Sequence, residues 1–336
     1  MTSIKDVAKH AQVSISTVSH VVNGTRFVGA EATQRVQVAI KELAYVPSSV
    51  ARSLKSQHTH TLGMLVPNCS NPYFSEIMRS IEERCFELGY NLILCNTYDK
   101  PERQTKYLQI LREKRVDGLI LITASKPDQW RLPSKLTIPV VLVDREVNNK
   151  FCDLVETAHE HGAKLATQHL IALRHRQIAC IAGPKGLSAS DQRVKGWQAA
   201  LEWASVKPSV LLHSDFTSQG GYETMLELLA YWQDAQTDKP SAVVICNDLM
   251  AIGALRAIHE QGLQVPRDLS IVGFDDIELS RFTNPPLTTV RQPKQAMGIH
   301  AVDMLMERIK GRRSETQALL LTPELAVRDS TAPFLA

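Results

Sequence analysis

Apolar side chains recur every three to four positions over the first 44 residues, which predicts three short helices. Ser3 is placed to cap the first of them. Ser14 is a good N-cap for the second, Ile15–Asn23, and Gly24 is a good residue to end it. The third helix is predicted over Glu31–Leu43, where apolar residues keep to one stripe.

The second of these helices is polar on one side. Its valines fall on one face, whereas Ser16, Thr17 and His20 fall on the other. A short helix, a four-residue turn and a second helix with a polar outer face fit the helix-turn-helix geometry, in which the second helix lies in the major groove of DNA. Three short helices also fit an ordinary bundle, so this pattern by itself leaves both interpretations open.

The segment that follows the helices has the composition of a linker with a short helix in it. Pro47 and Ser48 begin a helix that is too short to be stable unaided. The apolar residues Val50 and Leu54 beside Lys55 suit insertion into a minor groove, with the leucine as a wedge between base steps. A plain linker is the alternative for so short a segment.

From Thr61 onward, short runs rich in valine, isoleucine and leucine alternate with amphipathic helical segments. Such strands predict parallel sheets that are covered by helices on both faces. Their number is too large for one small sheet, so we expect an α/β core of two lobes with a cleft between them. The predicted strands are 62–67, 91–96, 118–122, 139–143, 177–182, 242–246 and 270–274, and the predicted helices include 75–89, 102–115, 159–173, 189–204, 249–262 and 293–310.

These patterns divide the chain into three parts. The expected domains are a helix-turn-helix domain at 1–46, a hinge helix and linker at 47–60, and a core at 61–336. Within the core, the first lobe is expected at 61–158 and 288–319, and the second at 159–287 and 320–336.

Polar and aromatic residues are concentrated just past the predicted strand ends, where ligands bind in open α/β sheets. Carboxylates accept hydrogen bonds from sugar hydroxyls, arginine and amide groups donate to hydroxyl and ring oxygens, and aromatic faces cover apolar C–H faces. Each residue alone fits a cap or a turn equally well, but their joint placement favours a site for a small sugar. The residues are Asn71, Tyr73, Phe74, Asp144, Arg145, Arg193, Phe216, Asn247, Asp275 and Gln292.

Charge is distributed unevenly along the chain. The net charge of the whole chain is +3. Residues 1–60 carry seven Lys and Arg against three acidic residues, a net +4, which leaves −1 for the other 276. A basic N-terminal segment on a near-neutral body is what binding to a phosphate backbone requires. A solvated basic face is the alternative that charge alone does not exclude.

Other functional classes find little support in the sequence. The apolar stretches are short for a membrane span, the N-terminus lacks the apolar core of a signal peptide, and the six cysteines form no C-x-x-C pair, so we expect a cytoplasmic protein with reduced thiols. No P-loop and no G-x-S-x-G motif is present. The histidines 159, 161, 169 and 175 lack zinc-site spacing and are expected on a solvated helix face, so we expect no enzyme, no metal and no cofactor.

Several segments of the sequence resemble the LacI/GalR family of repressors. MTSIKDVAKHAQVSISTVSHVVN and PSSVARSLK are similar to the head and hinge of that family, and HTLGMLVPNCSNPYFSEI, KRVDGLILI, CNDLMAIGAL, VPRDLSIVGFDDIEL and PPLTTVRQP are similar to its core. The resemblance covers the full chain. It implies a homodimeric repressor of double-stranded operator DNA, with a core like that of the periplasmic binding proteins. Because the C-terminus shows no leucine heptad, we expect no tetramer.

The resemblance also assigns roles to residues that contact DNA. Ile15, Ser16 and His20 match base-reading positions, and Thr17, Asn23 and Arg26 match positions of phosphate and neighbouring contacts. Within the hinge, Val50 is on the face expected to enter the minor groove. Leu54 matches the intercalating leucine of the family, and Lys55 matches the minor-groove contact beside it. Ile15 departs from the small polar residue that is frequent there, which leaves the preferred base pair open.

The core also resembles the periplasmic ribose-binding proteins, and this resemblance implies that the ten strand-end residues match their sugar-contact positions. Purine-responsive members of the family carry an aromatic residue where this chain has Arg145, and a guanidinium suits hydroxyls better than a stacked base. We therefore expect a monosaccharide effector, D-ribose first, that releases the repressor of a sugar-utilisation operon. The alternatives are another sugar, a purine acting as corepressor, and a sugar-binding transport protein, which would have a signal peptide and no DNA-binding head.

Overall fold

A computed structural model describes residues 2–46, 58–122, 138–144, 152–231 and 239–335 of the chain. The chain divides into two compact units, Met1–Thr59 and His60–Ala336, and each is described by itself. The predictions for the hinge residues Val50, Leu54 and Lys55, and for Arg145, lie outside the described residues.

The first unit contains the three predicted helices: α1 (Ile4–His10), α2 (Ile15–Asn23) and α3 (Ala30–Glu42). Ser3 and Asp6 form a reciprocal capping box at the start of α1. Ser14 caps α2 by accepting a hydrogen bond from the Thr17 amide, and Gly24 ends α2 in the left-handed conformation. A small core holds the helices together, made of Val7, Ala8, Ala11, Val18, Val36 and Ala39.

The second unit contains two sheets. The strands of the first sheet are β1 (Thr61–Val66), β2 (Asn91–Asn96), β3 (Gly118–Leu121), β4 (Val140–Val143), β5 (Asp153–Thr157) and β11 (Ala318–Leu321), in the order β11-β5-β4-β3-β1-β2. Every neighbouring pair in this sheet is parallel. The helices α4 (Pro72–Glu87), α5 (Pro101–Glu113) and α10 (Lys294–Ile309) pack against this sheet.

Alternate residues of the first sheet enter two different cores. Met64 and Ile120 pack with α4 and α10 on one face, whereas Leu65 and Leu119 pack with Leu111 of α5 on the other. Because both faces are covered, the strands read as continuous apolar runs rather than as alternating ones.

The strands of the second sheet are β6 (Ile178–Ala182), β7 (Leu211–His213), β8 (Ala242–Ile245), β9 (Ser270–Asp275), β10 (Thr288–Arg291) and β12 (Glu324–Ala326), in the order β12-β10-β9-β8-β6-β7. Only the pair β10 and β12 is antiparallel among the pairs recorded in this sheet. The helices of this lobe are α6 (His159–Ala172), α7 (Ser188–Trp203), α8 (Ser218–Ala230) and α9 (Asp248–Glu260), with a 3-10 turn at Glu278–Arg281. None of the helices in the described ranges is both long and apolar enough to cross a bilayer.

The expected assignment of residues 288–291 to the first lobe was wrong. They form β10, which pairs with β9 in the second sheet. The chain therefore returns to the first lobe after Arg291, and goes back to the second between β11 and β12. A run of four β-prone residues has the same sequence pattern in either sheet, so only the pairing partner identifies its lobe.

The helices α8 and α9 approach closely because each presents a glycine to the other. A Cβ atom at Gly253 would overlap the carbonyl oxygen of Ser218, and one at Gly221 would overlap the backbone of Met250. In both cases the overlapping atoms belong to the backbone and cannot move aside as a flexible side chain can, so a larger residue forces the helices apart.

Gly253→Ala is therefore expected to destabilise the protein by about 1–3 kcal/mol through overpacking, although alanine is the better helix former. Thermal unfolding followed by circular dichroism measures this as a melting temperature several degrees lower. Arg256→Ala on the same helix is the control; its exposed ion pair with Glu260 contributes little, so its melting temperature should stay near that of the parent. An unchanged or raised melting temperature for Gly253→Ala would contradict the packing argument.

Candidate functional site

A cavity of about 450 Å³ lies at the carboxyl ends of the strands, between the two lobes of the second unit. Most of the predicted sugar-contacting residues meet there from both lobes. Those that line the cavity are Asn71, Tyr73, Phe74, Asp144, Arg193, Phe216, Asn247 and Asp275. Gln292 does not line it but lies directly behind Asp275 and Tyr73.

The two asparagines of this wall have structural roles as well. Asn71 caps α4 by accepting a hydrogen bond from the Tyr73 amide at 3.0 Å. Asn247 caps α9 at Met250 and donates from Nδ2 to the carbonyl oxygen of Phe216 at 3.0 Å. The cap interpretation and the binding interpretation are thus compatible, because capping holds these amides at the strand ends.

Arg193 is the charged centre of the cavity. Its side chain is only 4% exposed, and Nη1 lies 3.7 Å from a carboxylate oxygen of Asp275. The guanidinium lies 3.9 Å from the ring centroid of Phe274 and donates to the carbonyl oxygen of Cys246. Its Nε has no hydrogen-bond partner among the described residues. A buried donor without a partner is costly, so a ligand oxygen that accepts from it is strongly favoured.

Asp275 is held in place by groups of both lobes. Gln292 donates to its carboxylate at 2.7 Å, and the hydroxyl of Tyr73 donates to the amide oxygen of Gln292 at 3.2 Å. Lys294 donates to the backbone oxygens of Asp275 and Asp276, each at 2.6 Å. Burial raises the pKa of the Asp275 carboxyl to about 6, against the opposing effects of Arg193 and Lys294.

Three of the lining residues have left-handed backbone conformations. The φ angles are 65° at Asp144, 66° at Phe216 and 119° at Asp275. Conformations of this kind cost about 1–3 kcal/mol each for residues other than glycine and persist only where the surroundings impose them. The site is therefore built by the fold at some expense to local stability.

Two residues beside the cavity were missed by the sequence analysis. Lys294 follows β10 closely, and His159 follows β5 at the start of α6. His159 is 1% exposed, with Nε2 3.2 Å from Asp144 Oδ1 and Nδ1 3.4 Å from Arg193 Nη2. Ligands bind at the carboxyl ends of parallel strands, so a predicted β5 would have pointed to His159, and the residues after the end of β10 would have included Lys294.

The expectation that the histidines lie on a solvated face was wrong for two of them. His159 is buried, and so is His175, which bonds to the Ser241 hydroxyl at 2.9 Å and the Ala332 carbonyl at 3.0 Å. His161 is exposed as expected, and His169 is half-buried against Thr331. Within the described ranges, no group of three or more His, Cys, Asp or Glu residues is arranged to hold a metal ion.

In the first unit, α2 carries five of the six residues of the helix-turn-helix domain that were predicted to contact DNA, and the sixth, Arg26, follows the helix. Ile15 is 46% exposed, and Ser16, Asn23 and Arg26 are exposed. Thr17 and His20 are half-buried; Thr17 bonds to the hydroxyl of Ser14 at 2.8 Å, and His20 bonds to that of Thr25 at 2.9 Å. These bonds orient the polar face of the helix without covering it.

Each of the two units matches the model of a known protein family. The model of the bacterial regulatory proteins of the lacI family matches residues 3–48, and that of a periplasmic binding protein-like domain matches residues 167–331. The ribose operon repressor of Escherichia coli (strain K12) is 42% identical over 334 residues, which span 98% of this chain and 100% of the relative. The transcriptional repressor PurR of Haemophilus influenzae (strain PittEE) is 43% identical over 342 residues, which span 100% of each chain.

Solved structures show the same architecture. The lac repressor dimer bound to operator and the anti-inducer ONPF has a TM-score of 0.88 at 30% identity, with 98% of this chain and 99% of that chain covered. A LacI family regulator from Enterococcus faecium with bound ribose has a TM-score of 0.73 at 31% identity, with 82% of this chain and 100% of that chain covered. The named relatives are repressors and not enzymes, as predicted. The chain therefore belongs to the lacI family of bacterial regulatory proteins, as a DNA-binding transcriptional repressor with a periplasmic binding protein-like core.

Proposed function

We propose that this repressor controls a sugar-utilisation operon and is released from its operator when a ribose-like monosaccharide binds in the cleft. The observation that carries the proposal is the buried pair of Arg193 and Asp275 at the cavity wall, supported from behind by Gln292. A guanidinium and a carboxylate fixed side by side match the oxygens and hydroxyls of a free sugar.

The energetics of such a site suit a reversible sensor. Hydrogen bonds to charged groups contribute roughly 1.5–3 kcal/mol each. The carboxylates of Asp144 and Asp275 and the guanidinium of Arg193 supply several of them, and Phe74 and Phe216 offer apolar surface. After the cost of ordering the ligand and the lobes, a micromolar dissociation constant is expected, about −8 kcal/mol.

The relatives support two effector classes. The ribose class is supported by the ribose operon repressor and by the homologous core with bound ribose. The purine class is supported by the repressor PurR, which is as similar to this chain as the ribose operon repressor is. Arg145, which lies outside the described residues, favours hydroxyls over a stacked base. Calorimetry with ribose, allose, fructose, hypoxanthine and guanine decides between the sugar and the purine proposals, because only one class should bind at micromolar concentration.

The mechanism that we propose is a two-state coupling between the cleft and DNA. In this proposal, two subunits present α2 to the half-sites of a roughly palindromic operator, and their hinge segments at 47–60 pair with each other in the minor groove. A sugar that contacts both lobes stabilises the closed cleft. If closure weakens the pairing of these segments, the coupling amounts to about 1–3 kcal/mol or more. The similarity to the ribose operon repressor supports release rather than corepression.

Asp275→Ala is expected to abolish the response to the sugar and to leave operator binding intact. The reason is that the carboxylate accepts from sugar hydroxyls, while nothing places it at the DNA. Calorimetry measures the affinity for the sugar, and fluorescence anisotropy with labelled operator measures the affinity for DNA with and without ribose. Asp329→Ala, an exposed aspartate outside the cavity, is the control and should respond normally. Loss of DNA binding together with normal sugar affinity would refute the assignment.

Sugar affinity should fall in acid because the pKa of Asp275 is about 6. Above pH 7 the carboxyl is charged and affinity is constant; below its pKa the affinity should fall towards tenfold for each pH unit, since protonation removes an acceptor. Titrations by calorimetry between pH 5 and 8 test this. In Asp275→Asn the binding that remains should lack this decline, and a decline that persists there would assign it to another group.

Operator recognition should depend on Ile15 and Arg26 in different ways. Ile15→Ser is expected to change the preference at one base pair in each half-site, by about 1–3 kcal/mol, because an apolar contact to a thymine methyl is lost. Arg26→Ala should weaken binding to all sequences alike and reduce the salt slope by about one. Selection from random operator libraries, followed by anisotropy at several salt concentrations, measures both. A uniform loss for Ile15→Ser would show that it reads no base.

A further inference from the structure

His159 occupies an unusual position for a histidine. It is the first residue of α6, immediately after the chain leaves β5 of the first lobe for the second. Its ring is 1% exposed and lies 6.0 Å from the ring of Phe274, centroid to centroid. It does not line the cavity, but both of its polar neighbours do. His159 therefore lies behind the cavity wall, at one of the places where the chain crosses between lobes.

The two neighbours of the ring belong to different lobes. Asp144 follows β4 of the first lobe, and its Oδ1 lies 3.2 Å from Nε2. Arg193 is on α7 of the second lobe, and its Nη2 lies 3.4 Å from Nδ1. The same guanidinium rests on Phe274, so one aromatic ring underlies both His159 and Arg193.

The chemistry of these neighbours selects one form of the imidazole. A guanidinium only donates, so Nδ1 must be an acceptor without a proton. A carboxylate only accepts, so the proton belongs on Nε2, which lies 3.2 Å from Asp144 Oδ1 without the geometry of a full hydrogen bond among the described residues. Burial lowers the pKa of His159, which keeps the ring neutral near pH 7. A protonated ring would place an N–H group against the guanidinium.

We propose that His159 is a positioning residue for the effector: as the neutral Nε2–H tautomer, it holds the Asp144 carboxylate and the Arg193 guanidinium, one from each lobe, in the orientation that the ligand requires. This inference rests on the proposed function of the cleft and extends it to a residue that does not touch the ligand.

Three substitutions separate the parts of this role. His159→Leu removes both polar contacts at similar volume and should weaken ribose binding by tenfold or more. His159→Asn restores an acceptor near the Nδ1 position, and His159→Gln restores a donor near the Nε2 position, so each should recover part of the affinity. His175→Leu is the matched control, since His175 is also buried but bonds to Ser241 and Ala332 instead. It should lower the melting temperature and leave the ribose dissociation constant within twofold.

Calorimetry on the full-length chain gives the dissociation constants, and thermal unfolding of each variant reports on folding. Long-range ¹H–¹⁵N spectra of protein labelled at histidine give the tautomer directly and need no variant and no ligand. We expect a neutral ring with the proton on Nε2, and a change in its ¹⁵N shifts when ribose is added to saturation.

A proton on Nδ1, or a cationic ring at pH 7, would overturn the proposal. So would a His159→Leu variant that is folded and binds ribose as the parent does, or a loss of affinity that Asn and Gln do not reduce. If the parent chain binds no monosaccharide of the panel, the proposed function fails by itself. The tautomer would then still support or overturn the arrangement of His159 between Asp144 and Arg193.

Discussion

Burial of the Arg193 guanidinium is the constraint around which the cleft is organised. An ionised group removed from water is tolerated only when it is paired and hydrogen-bonded. Asp275, the Cys246 carbonyl and the face of Phe274 meet this requirement in part, and the ring of His159 adds an acceptor. The Nε donor has no hydrogen-bond partner in the described part of the chain, and it belongs to a residue of the cavity wall. The charge of Arg193 thus determines which groups surround it in the protein, and its remaining donor favours ligands with an acceptor oxygen.

The residues that complete this arrangement are placed by the crossings of the chain between lobes. His159 lies just after one crossing, and Gln292 and Lys294 lie within another. Lys294 is buried and donates to two backbone oxygens of the second lobe, while it pairs with Glu76 of the first lobe at 3.2 Å. Glu76 also accepts from the Glu278 amide at 3.1 Å. Polar groups at the crossings therefore connect the two lobes.

Much of this architecture follows from the sequence, for physical reasons. Parallel strands end at one edge of a sheet, so Asn71 and Asp144 were predicted to meet at the edge of the first sheet, and Asn247 and Asp275 at the edge of the second, as soon as their strands were located. β5 escaped because Asp153 and Glu156 interrupt its apolar pattern. Asp153 is nevertheless buried, because Arg313 neutralises it with two hydrogen bonds at 2.8 and 3.1 Å. Because β5 was not predicted, the position of His159 just after its end was not recognised either.

Other features depend on contacts between distant segments, which no local pattern contains. The membership of β10 in the second sheet follows from its pairing with β9, and the hydrogen bond of Gln292 to Tyr73 joins residues 219 positions apart. The left-handed φ angle at Phe216 is likewise imposed by the surroundings, because a bulky aromatic residue has little intrinsic preference for that region.

Contacts within each lobe and contacts between the lobes contribute to sensing in different ways. The caps made by Asn71 and Asn247 fix parts of the wall within one lobe, so they are present whether the cleft is open or closed. A ligand that touched such groups of one lobe only would bind both forms equally and would shift no equilibrium. The contacts of His159 with Asp144 and of Tyr73 with Gln292 join the two lobes. Regulation by the effector therefore requires that part of its binding energy come from contacts that groups of both lobes make with it at once, in the closed form that the pairs between lobes support.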